Sequence, residues 1–235
     1  MRMLLLHGLG GNGRIWDRVN TLISDEVIAP DLAGHGAAPR LPAYDFERYA
    51  EDLLERYRAQ LTDGPLRILG HSLGGAVAIA LTSLASELDV RGIATVGVKT
   101  HWPEQDVNGM HRVADKGVGW FDSFDAAAER FIKVSGLTGL VTASDPVVLH
   151  GVVAHSERWR FAADPETFRS SPKLLRDYLG NVHCPVVMAA GTQDVMVSPE
   201  SLAHLGLPVV ALDGLGHNAH VQGPEAVVEL LAQLK

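Results

Sequence analysis

This sequence contains a serine, an aspartate and a histidine that could act together in nucleophilic catalysis. Each lies in or next to a glycine-containing stretch. Ser72 lies in Gly70-His71-Ser72-Leu73-Gly74, which fits the pattern G-x-S-x-G. The pattern follows a predicted strand and begins a predicted helix, where a sharp turn exposes the hydroxyl at the N-terminus of the helix. The alternative is a serine that only caps this helix after a glycine turn. A nucleophile also needs a base and an orienting acid, so the choice depends on the rest of the chain.

The sequence offers an acid and a base for Ser72 after two later apolar runs. Asp194 comes just after the run at residues 185–190, and His217 lies in the loop GLGH after the run at 208–212. Open α/β sheets carry their sites at the carboxyl ends of their strands, so we expect both side chains at one edge of the sheet. We therefore predict a triad of Ser72 as nucleophile, His217 as base and Asp194 as orienting acid.

Two backbone N–H groups are needed to hold the negative charge that develops on a reacting carbonyl oxygen. Leu73, the residue after the nucleophile, is expected to supply the first. The second is expected from HGLGG at residues 7–11, where glycines let the backbone approach the reacting carbon. Within this loop we predict Leu9 as the donor, with Gly10 as the near alternative.

Other histidines and acids near these motifs are expected to be structural. Asp213 is a rival acid by proximity to His217, but it ends a strand directly before the histidine loop. His220 lies three residues after His217, so the two could share a metal, yet no third ligand pattern stands out. The sequence therefore predicts no metal site, and no cofactor is expected. Four further candidates are assigned to turns and packing: His7, Asp31, His35 and His71.

The elements that must position these residues alternate between strands and helices. Short apolar runs bounded by turn residues predict buried parallel strands at 3–6, 27–29, 66–69, 93–98, 185–190 and 208–212. An amphipathic pattern predicts a helix over 45–61, and another predicts a C-terminal helix that begins near Pro224. This alternation indicates an α/β fold with a doubly wound, mostly parallel sheet and helices on both faces.

The alternation stops between residues 101 and 184, where helices follow each other with no clear strand. Three helix starts pair a capping side chain with a proline: Asp145-Pro146, Asp164-Pro165 and Ser171-Pro172. We interpret residues 101–184 as an inserted helical cap, and residues 1–100 and 185–235 as the core.

The inserted segment is rich in aromatic residues, which could line an apolar pocket or form the core of the insertion itself. Trp16, just after the loop at 7–11, could likewise face the pocket or anchor a short helix. The predicted substrate-binding residues are Gly8, Gly10, Trp16, Trp102, Trp120, Phe121 and Trp159.

Composition excludes several classes of partner. The 235-residue chain carries a formal net charge of −8 and has no run of lysine and arginine, so nucleic acid and anionic membrane surfaces are poor partners. Its single cysteine, Cys184, forms no internal disulfide, which fits a reducing compartment and equally a cysteine-poor secreted bacterial protein. No stretch approaches the length of a membrane span. We expect a cytoplasmic monomer or homodimer that acts on a small acyl substrate.

With these motifs the chain resembles the α/β-hydrolase fold superfamily, in its capped, single-domain form. The matching stretches occur in the family's order: HGLGG (7–11), APDLAGHG (29–36), GHSLGG (70–75), GTQD (191–194) and GLGHNAH (214–220). Family members commonly have a β-hairpin before the strand that precedes HG, whereas here that strand begins at residue 2. The resemblance thus implies about six strands, without the usual first two, and a different edge strand that a partner subunit could cover.

The leading functional expectation is a serine hydrolase that cleaves a carboxylic ester or thioester through an acyl-enzyme. A second hypothesis keeps the triad but changes the reaction, because the same fold is used for C–C bond hydrolysis and for elimination by proton abstraction, as in a menaquinone-pathway synthase. GHNAH loosely resembles that synthase. Sites of that synthase family use cap arginines to hold carboxylates, and the candidates here are Arg130, Arg158, Arg160 and Arg169. A third hypothesis is a non-catalytic small-molecule binding protein on the same scaffold.

Overall fold

The computed structural model describes residues 1–117, 119–170 and 175–234. Its strands are β1 (Arg2–Leu6), β2 (Glu26–Ile28), β3 (Leu66–His71), β4 (Val90–Val96), β5 (Val152–His155), β6 (Arg158–Phe161), β7 (Val186–Gly191) and β8 (Val209–Leu212). Six of them form one parallel sheet in the order β2-β1-β3-β4-β7-β8. Every predicted apolar run therefore contributes a strand, and the expected six-stranded parallel sheet is confirmed.

Helices cover both faces of this sheet. The α-helices are α1 (Asp17–Asn20), α2 (Phe46–Leu61), α3 (Leu73–Leu84), α4 (Glu104–Lys116), α5 (Phe124–Val134), α6 (Pro146–Gly151), α7 (Arg176–Leu179), α8 (Pro199–Leu202), α9 (Ala219–Gln222) and α10 (Pro224–Glu229). Shorter 3-10 helices span Gly13–Trp16, Pro165–Arg169, Ala203–Leu205 and Leu230–Gln233. The buried apolar side chains form two clusters. One includes residues of α2 and α3, and the other includes residues of α1, α5 and α10, as expected for a sheet with helices on both faces.

Local sequence explains the two helices that follow β2 and β3. At the start of α2 the Asp45 carboxylate accepts the N–H of Arg48 at 2.9 Å, and the apolar face of the helix buries Tyr49 and Leu53. The residues of α3 are mostly alanine, glycine and aliphatic, and nearly all are buried, so this helix packs closely between α2 and the sheet. Close packing of α3 fixes the position of the turn that precedes it.

The segment between β4 and β7 lies between two strands that pair directly with each other. It contains α4 to α7, but the expectation that it has no strand is wrong, because β5 and β6 form an antiparallel hairpin. Their sequences, VVAH and RWRF, are rich in β-branched and aromatic residues, and a two-residue turn with Ser156 at positive φ joins them. Helical turns begin at Pro146 and Pro165 as predicted, whereas Ser171-Pro172 lies outside the described residues.

Among the residues that the structure describes, no helix combines the length and the apolar character needed to cross a membrane.

Candidate active site

The carboxyl ends of β1 and β3 lie side by side, because these strands pair in parallel with Leu6 opposite Gly70. From β1 the chain continues to one side of the sheet, and from β3 to the other. Such a switch point leaves a crevice between the two loops that follow the strands. The approach is close, since a Cβ atom on Gly8 would lie 3.3 Å from the Cβ of Ser72. The loop at residues 7–11 therefore faces the serine.

Ser72 occupies a strained turn between β3 and α3. Its φ of 48° and ψ of −115° lie outside the regions that L-residues favour, at a cost of about 1–3 kcal/mol. The flanking glycines make the turn possible: a Cβ atom on Gly74 would lie 2.2 Å from the carbonyl oxygen of Leu6, and one on Gly70 would lie 2.6 Å from the carbonyl oxygen of Gly74. The G-x-S-x-G pattern thus meets a steric requirement of this turn, and Ser72 lines a cavity above it.

Asp194 and His217 are brought together by the adjacent strands β7 and β8. Nδ1 of His217 lies 2.8 Å from Oδ2 of Asp194. The buried carboxylate is fixed on its other side, where Oδ1 accepts the N–H groups of Met196 at 2.8 Å and Val197 at 3.1 Å. Because Nδ1–H donates to the carboxylate, Nε2 of the neutral imidazole is left to accept a proton. His217 lines the same cavity as Ser72.

The two alternatives for the predicted second oxyanion donor differ in their backbone hydrogen bonds. The N–H of Gly10 donates to Nε2 of His35 at 3.1 Å and is therefore occupied. Within the described parts of the chain, the N–H groups of Leu9 and Leu73 donate to no other protein group. Both leucines also line the cavity beside Ser72. The geometry thus favours Leu9 over Gly10.

Two buried histidines fix the loop at residues 7–11. Nε2 of His7 accepts the N–H of Leu32 at 2.9 Å, and its Nδ1–H donates to the carbonyl of Gly8 at 2.8 Å. The rings of His7 and His35 meet edge-on with centroids 5.0 Å apart. Burial lowers the pKa of both side chains, that of His35 to about 3, so each is neutral and has one donor and one acceptor nitrogen. Both are structural, as predicted.

The cavity above Ser72 has a volume of about 640 Å³. The core contributes apolar side chains to its wall, among them Leu9, Leu73 and Val98. The inserted segment contributes the facing wall, including Trp102, Val113 and Phe168. This volume lies within the range of small-molecule sites, and such sites are mostly apolar with a few polar groups.

Of the predicted substrate-binding aromatics, Trp102 alone lines this cavity within the described residues. Trp16 is fully buried against His220, with ring centroids 4.6 Å apart. Phe121 and Trp159 exchange backbone hydrogen bonds of 2.8 Å, and both are half-buried against an apolar cluster outside the cavity. Trp120 is 42% exposed in a separate surface groove. Gly8 and Gly10 flank the predicted donor Leu9 but are not part of the wall.

Charged side chains on the cavity wall differ from those that the sequence indicated. Lys99 follows β4, pairs with Asp106 and lies 5.2 Å from the ring centroid of Trp102. Arg112 of α4 also lines the cavity, and it forms no ion pair with any described residue. The four arginines named from the sequence lie off this wall in the described structure: Arg130, Arg158, Arg160 and Arg169.

The inserted segment is tied to the loop at residues 7–11 and to the loop of His217 by two side chains that sequence reasoning missed. The Ser135 hydroxyl lies 2.9 Å from the carbonyl oxygen of Gly10. Nδ2 of Asn218, next to His217, donates to the carbonyls of Ser135 at 3.2 Å and Gly136 at 3.0 Å. The position of Asn218 directly after His217 in GHNAH was the one sequence feature that could have indicated a role near the site. Its partners, Ser135 and Gly136, could not be predicted from the sequence.

The remaining acid and histidine candidates have structural partners. Asp213 is exposed and accepts the Thr192 hydroxyl at 3.3 Å. The buried His220 ring lies 4.2 Å from that of His71, and burial lowers its pKa to about 3. No group of three or more potential metal ligands occurs within residues 1–117, 119–170 and 175–234.

Comparison with known proteins gives one family match that covers almost the whole chain. Residues 3–230 match the Alpha/beta hydrolase family. In the crystal structure of E-2-(acetamidomethylene)succinate hydrolase, 90% of the chain superposes on 99% of this one, with a TM-score of 0.83 and 22% identity. At this identity the likeness concerns the fold.

Two curated relatives illustrate the range of activities in similar sequences. Lipase LipV of Mycobacterium tuberculosis is 32% identical over 149 residues, which are 63% of this chain and 54% of the lipase. The match thus spans about half the length of that relative. The 2-succinyl-6-hydroxy-2,4-cyclohexadiene-1-carboxylate synthase of Pectobacterium atrosepticum is 25% identical over 252 residues, which cover 97% of this chain and 90% of the synthase.

Proposed function

Because this chain belongs to the Alpha/beta hydrolase family, we propose that it is a serine hydrolase that cleaves a carboxylic ester or thioester through an acyl-enzyme. The observation that carries the proposal is the placement of Ser72, in its strained turn, on the same cavity as His217, whose imidazole is bonded to Asp194. The apolar wall supports a substrate with a small to medium apolar acyl group.

In the proposed mechanism, Oγ of Ser72 attacks the carbonyl carbon while Nε2 of His217 accepts the hydroxyl proton. The N–H groups of Leu9 and Leu73 hold the oxygen that becomes negatively charged, and Asp194 stabilises the imidazolium. The tetrahedral intermediate collapses, and His217 returns the proton to the leaving alcohol or thiol. A water molecule, activated by the same histidine, then attacks the acyl-Ser72 ester and releases the acid.

We also propose that residues 101–184 act as a cap on a core formed by residues 1–100 and 185–235. Two observations support this division. The segment leaves the sheet after β4 and returns at the adjacent β7, and it supplies the wall that faces Ser72, including Trp102 and Phe168. The cap would therefore select the acyl group, whereas the core performs the reaction.

The test is a panel of acyl p-nitrophenyl esters and acyl-CoA thioesters of graded chain length, with Ser72→Ala as the matched blank. We expect wild-type turnover of at least one class, and a loss on the order of 10³-fold or more in the variant. Mass spectrometry of the wild-type protein, quenched during turnover, should detect an acyl group on Ser72. Near-normal turnover by Ser72→Ala contradicts the mechanism.

A second candidate function, an elimination reaction on the same triad, is favoured by two observations. The Pectobacterium synthase aligns with 97% of this chain, and in the described structure Arg112 stands on the cavity wall without an ion-pair partner. An elimination uses His217 and Ser72 to move protons and forms no acyl-serine. Detection of the acyl-Ser72 adduct on the productive pathway therefore excludes this candidate.

A further inference from the structure

His71 connects the loop of His217 to the strand that carries the nucleophile. It is the last residue of β3, directly before Ser72, and is 4% exposed. Its Nε2 lies 3.1 Å from the carbonyl oxygen of His217. A carbonyl oxygen only accepts, so Nε2 carries the hydrogen and donates it. The bond therefore connects the backbone of His217, the proposed base, to the residue directly before Ser72, the proposed nucleophile.

The ring of His71 also contacts the catalytic imidazole itself. The ring centroids of His71 and His217 are 4.8 Å apart at an interplanar angle of 62°, an edge-on contact. On another side a Cβ atom on Gly8 would lie only 2.6 Å from Nδ1 of His71, so the loop at residues 7–11 closes over the ring. His71 is thus confined where the three catalytic loops meet.

We propose that His71 is a positioning residue that holds His217 in register with Ser72 through the bond from its Nε2–H to the His217 carbonyl. This role rests on the proposed function of the triad. Other bonds of the histidine loop attach it to the acid, since Asp194 binds the His217 ring and the N–H of Gln193 donates to the carbonyl of Leu215 at 2.9 Å. The bond from His71 attaches the same loop to the end of β3, directly before the nucleophile Ser72.

The chemistry of His71 suits a fixed tether. Burial lowers its pKa well below the ordinary value, with smaller contributions from His220 and His217, so the ring stays neutral and carries one hydrogen. That hydrogen is committed to the His217 carbonyl. A neutral donor holds the loop without placing a positive charge beside an imidazole that must itself become positive during the reaction.

Loss of the tether should affect the chemical step more than substrate binding. The substrate is held by the cavity wall, whereas proton transfer requires Nε2 of His217 within hydrogen-bond distance of the Ser72 hydroxyl. A misplacement of about 1 Å at such a pair can reduce the rate by about 10²-fold. We therefore expect His71→Leu to lower kcat by about 10- to 100-fold and to change KM by less than about twofold.

The test compares variants that differ in the donor at the position of Nε2. The Gln amide of His71→Gln can place an N–H near this position, whereas His71→Asn is too short and His71→Leu has no donor. His220→Leu is the matched control, because the buried His220 ring lies against that of His71, with centroids 4.2 Å apart, but neither of its ring nitrogens has a hydrogen-bond partner among the described residues. The rate of Ser72 phosphonylation by a fluorophosphonate probe is measured beside kcat and KM, since it requires no knowledge of the substrate.

We expect slow phosphonylation for His71→Leu and His71→Asn, substantial recovery for His71→Gln, and a rate near wild type for His220→Leu. Equal rates for the glutamine and asparagine variants overturn the tether even if the leucine variant does not fold. An unchanged rate in His71→Leu also overturns it. If the wild-type protein neither reacts with the probe nor turns over any ester, the proposed function is contradicted, and this inference with it. If every variant reacts with the probe at the wild-type rate, only the proposed role of His71 is contradicted.

Discussion

The backbone N–H of Gly10 donates to Nε2 of His35 at 3.1 Å, and this bond orders the loop that carries the predicted oxyanion donor. The bond engages the N–H of Gly10, which the sequence offered as the alternative to Leu9 for the second oxyanion donor. It also fixes Gly10 at a φ of +76°, a conformation that few other residues adopt. A histidine 25 positions away from Gly10 therefore engages the N–H of Gly10, and the N–H of Leu9 is left as the predicted oxyanion donor.

Replacing this histidine should weaken oxyanion stabilisation. We expect His35→Leu to lower kcat by about 10-fold or more with little change in KM, because the loop loses the acceptor that fixes it and a misplaced donor binds the transition state less well. Steady-state kinetics with the best ester provide the measurement. If kcat is unchanged while the protein melts at a lower temperature, His35 serves stability alone.

The orienting acid can be tested against its rival in sequence. Asp194→Asn keeps the size of the side chain but no longer fixes the imidazole with Nε2 free to accept a proton, so we expect a kcat loss on the order of 10³-fold or more. Asp213→Asn is the matched control, since Asp213 is exposed and bonded to Thr192. A change of less than about twofold is expected there. Similar losses in both variants would refute the assignment of Asp194.

Two tryptophans of the inserted segment offer a matched test of the cavity wall. Trp102 lines the cavity, whereas the half-buried Trp159 lies outside the cavity wall and packs edge-on against Phe124, with ring centroids 5.3 Å apart. Trp102→Ala should raise KM for the longer acyl esters by about 10-fold, the effect of losing part of a large apolar contact. Trp159→Ala should lower Tm and leave KM within about twofold. The reverse pattern would mean that the substrate lies elsewhere.

Buried histidines make the folded state sensitive to acid. Burial lowers the pKa of His7, His35, His71 and His220, those of His35 and His220 to about 3, from an ordinary value of 6.5. Below about pH 6.5 the unfolded chain therefore binds more protons than the folded one, and the free energy of unfolding falls as pH falls toward about 3. His35 and His220 each contribute roughly 1.4 kcal/mol per pH unit in this window, and the lowered pKa values of His7 and His71 act in the same direction.

The expected result is a clear decrease in Tm between about pH 7.5 and about pH 5, measured by circular dichroism at constant ionic strength. His220→Leu removes one of these groups and should give a smaller decrease. A Tm that does not change with pH, or an equal decrease in wild type and variant, contradicts this account.

The sequence by itself determined the sheet and the order of the catalytic candidates. Apolar runs bounded by turn residues identified all six parallel strands, because strands buried on both faces need continuous apolar side chains. Since parallel strands end at a common edge, the same runs also indicated that Asp194 and His217 would lie close together. Their 2.8 Å contact follows from this topology.

Only the tertiary structure decided which side chains surround the reacting atoms. The sequence could not separate Trp102 on the cavity wall from Trp16 in the core, because a buried aromatic side chain needs an apolar environment in either place. The hairpin of the inserted segment and the Gly10–His35 bond also depend on contacts between distant parts of the chain. Local sequence patterns indicate whether a segment forms a helix or a strand and where it ends. The neighbours of a given side chain depend instead on how the helices and strands pack against each other.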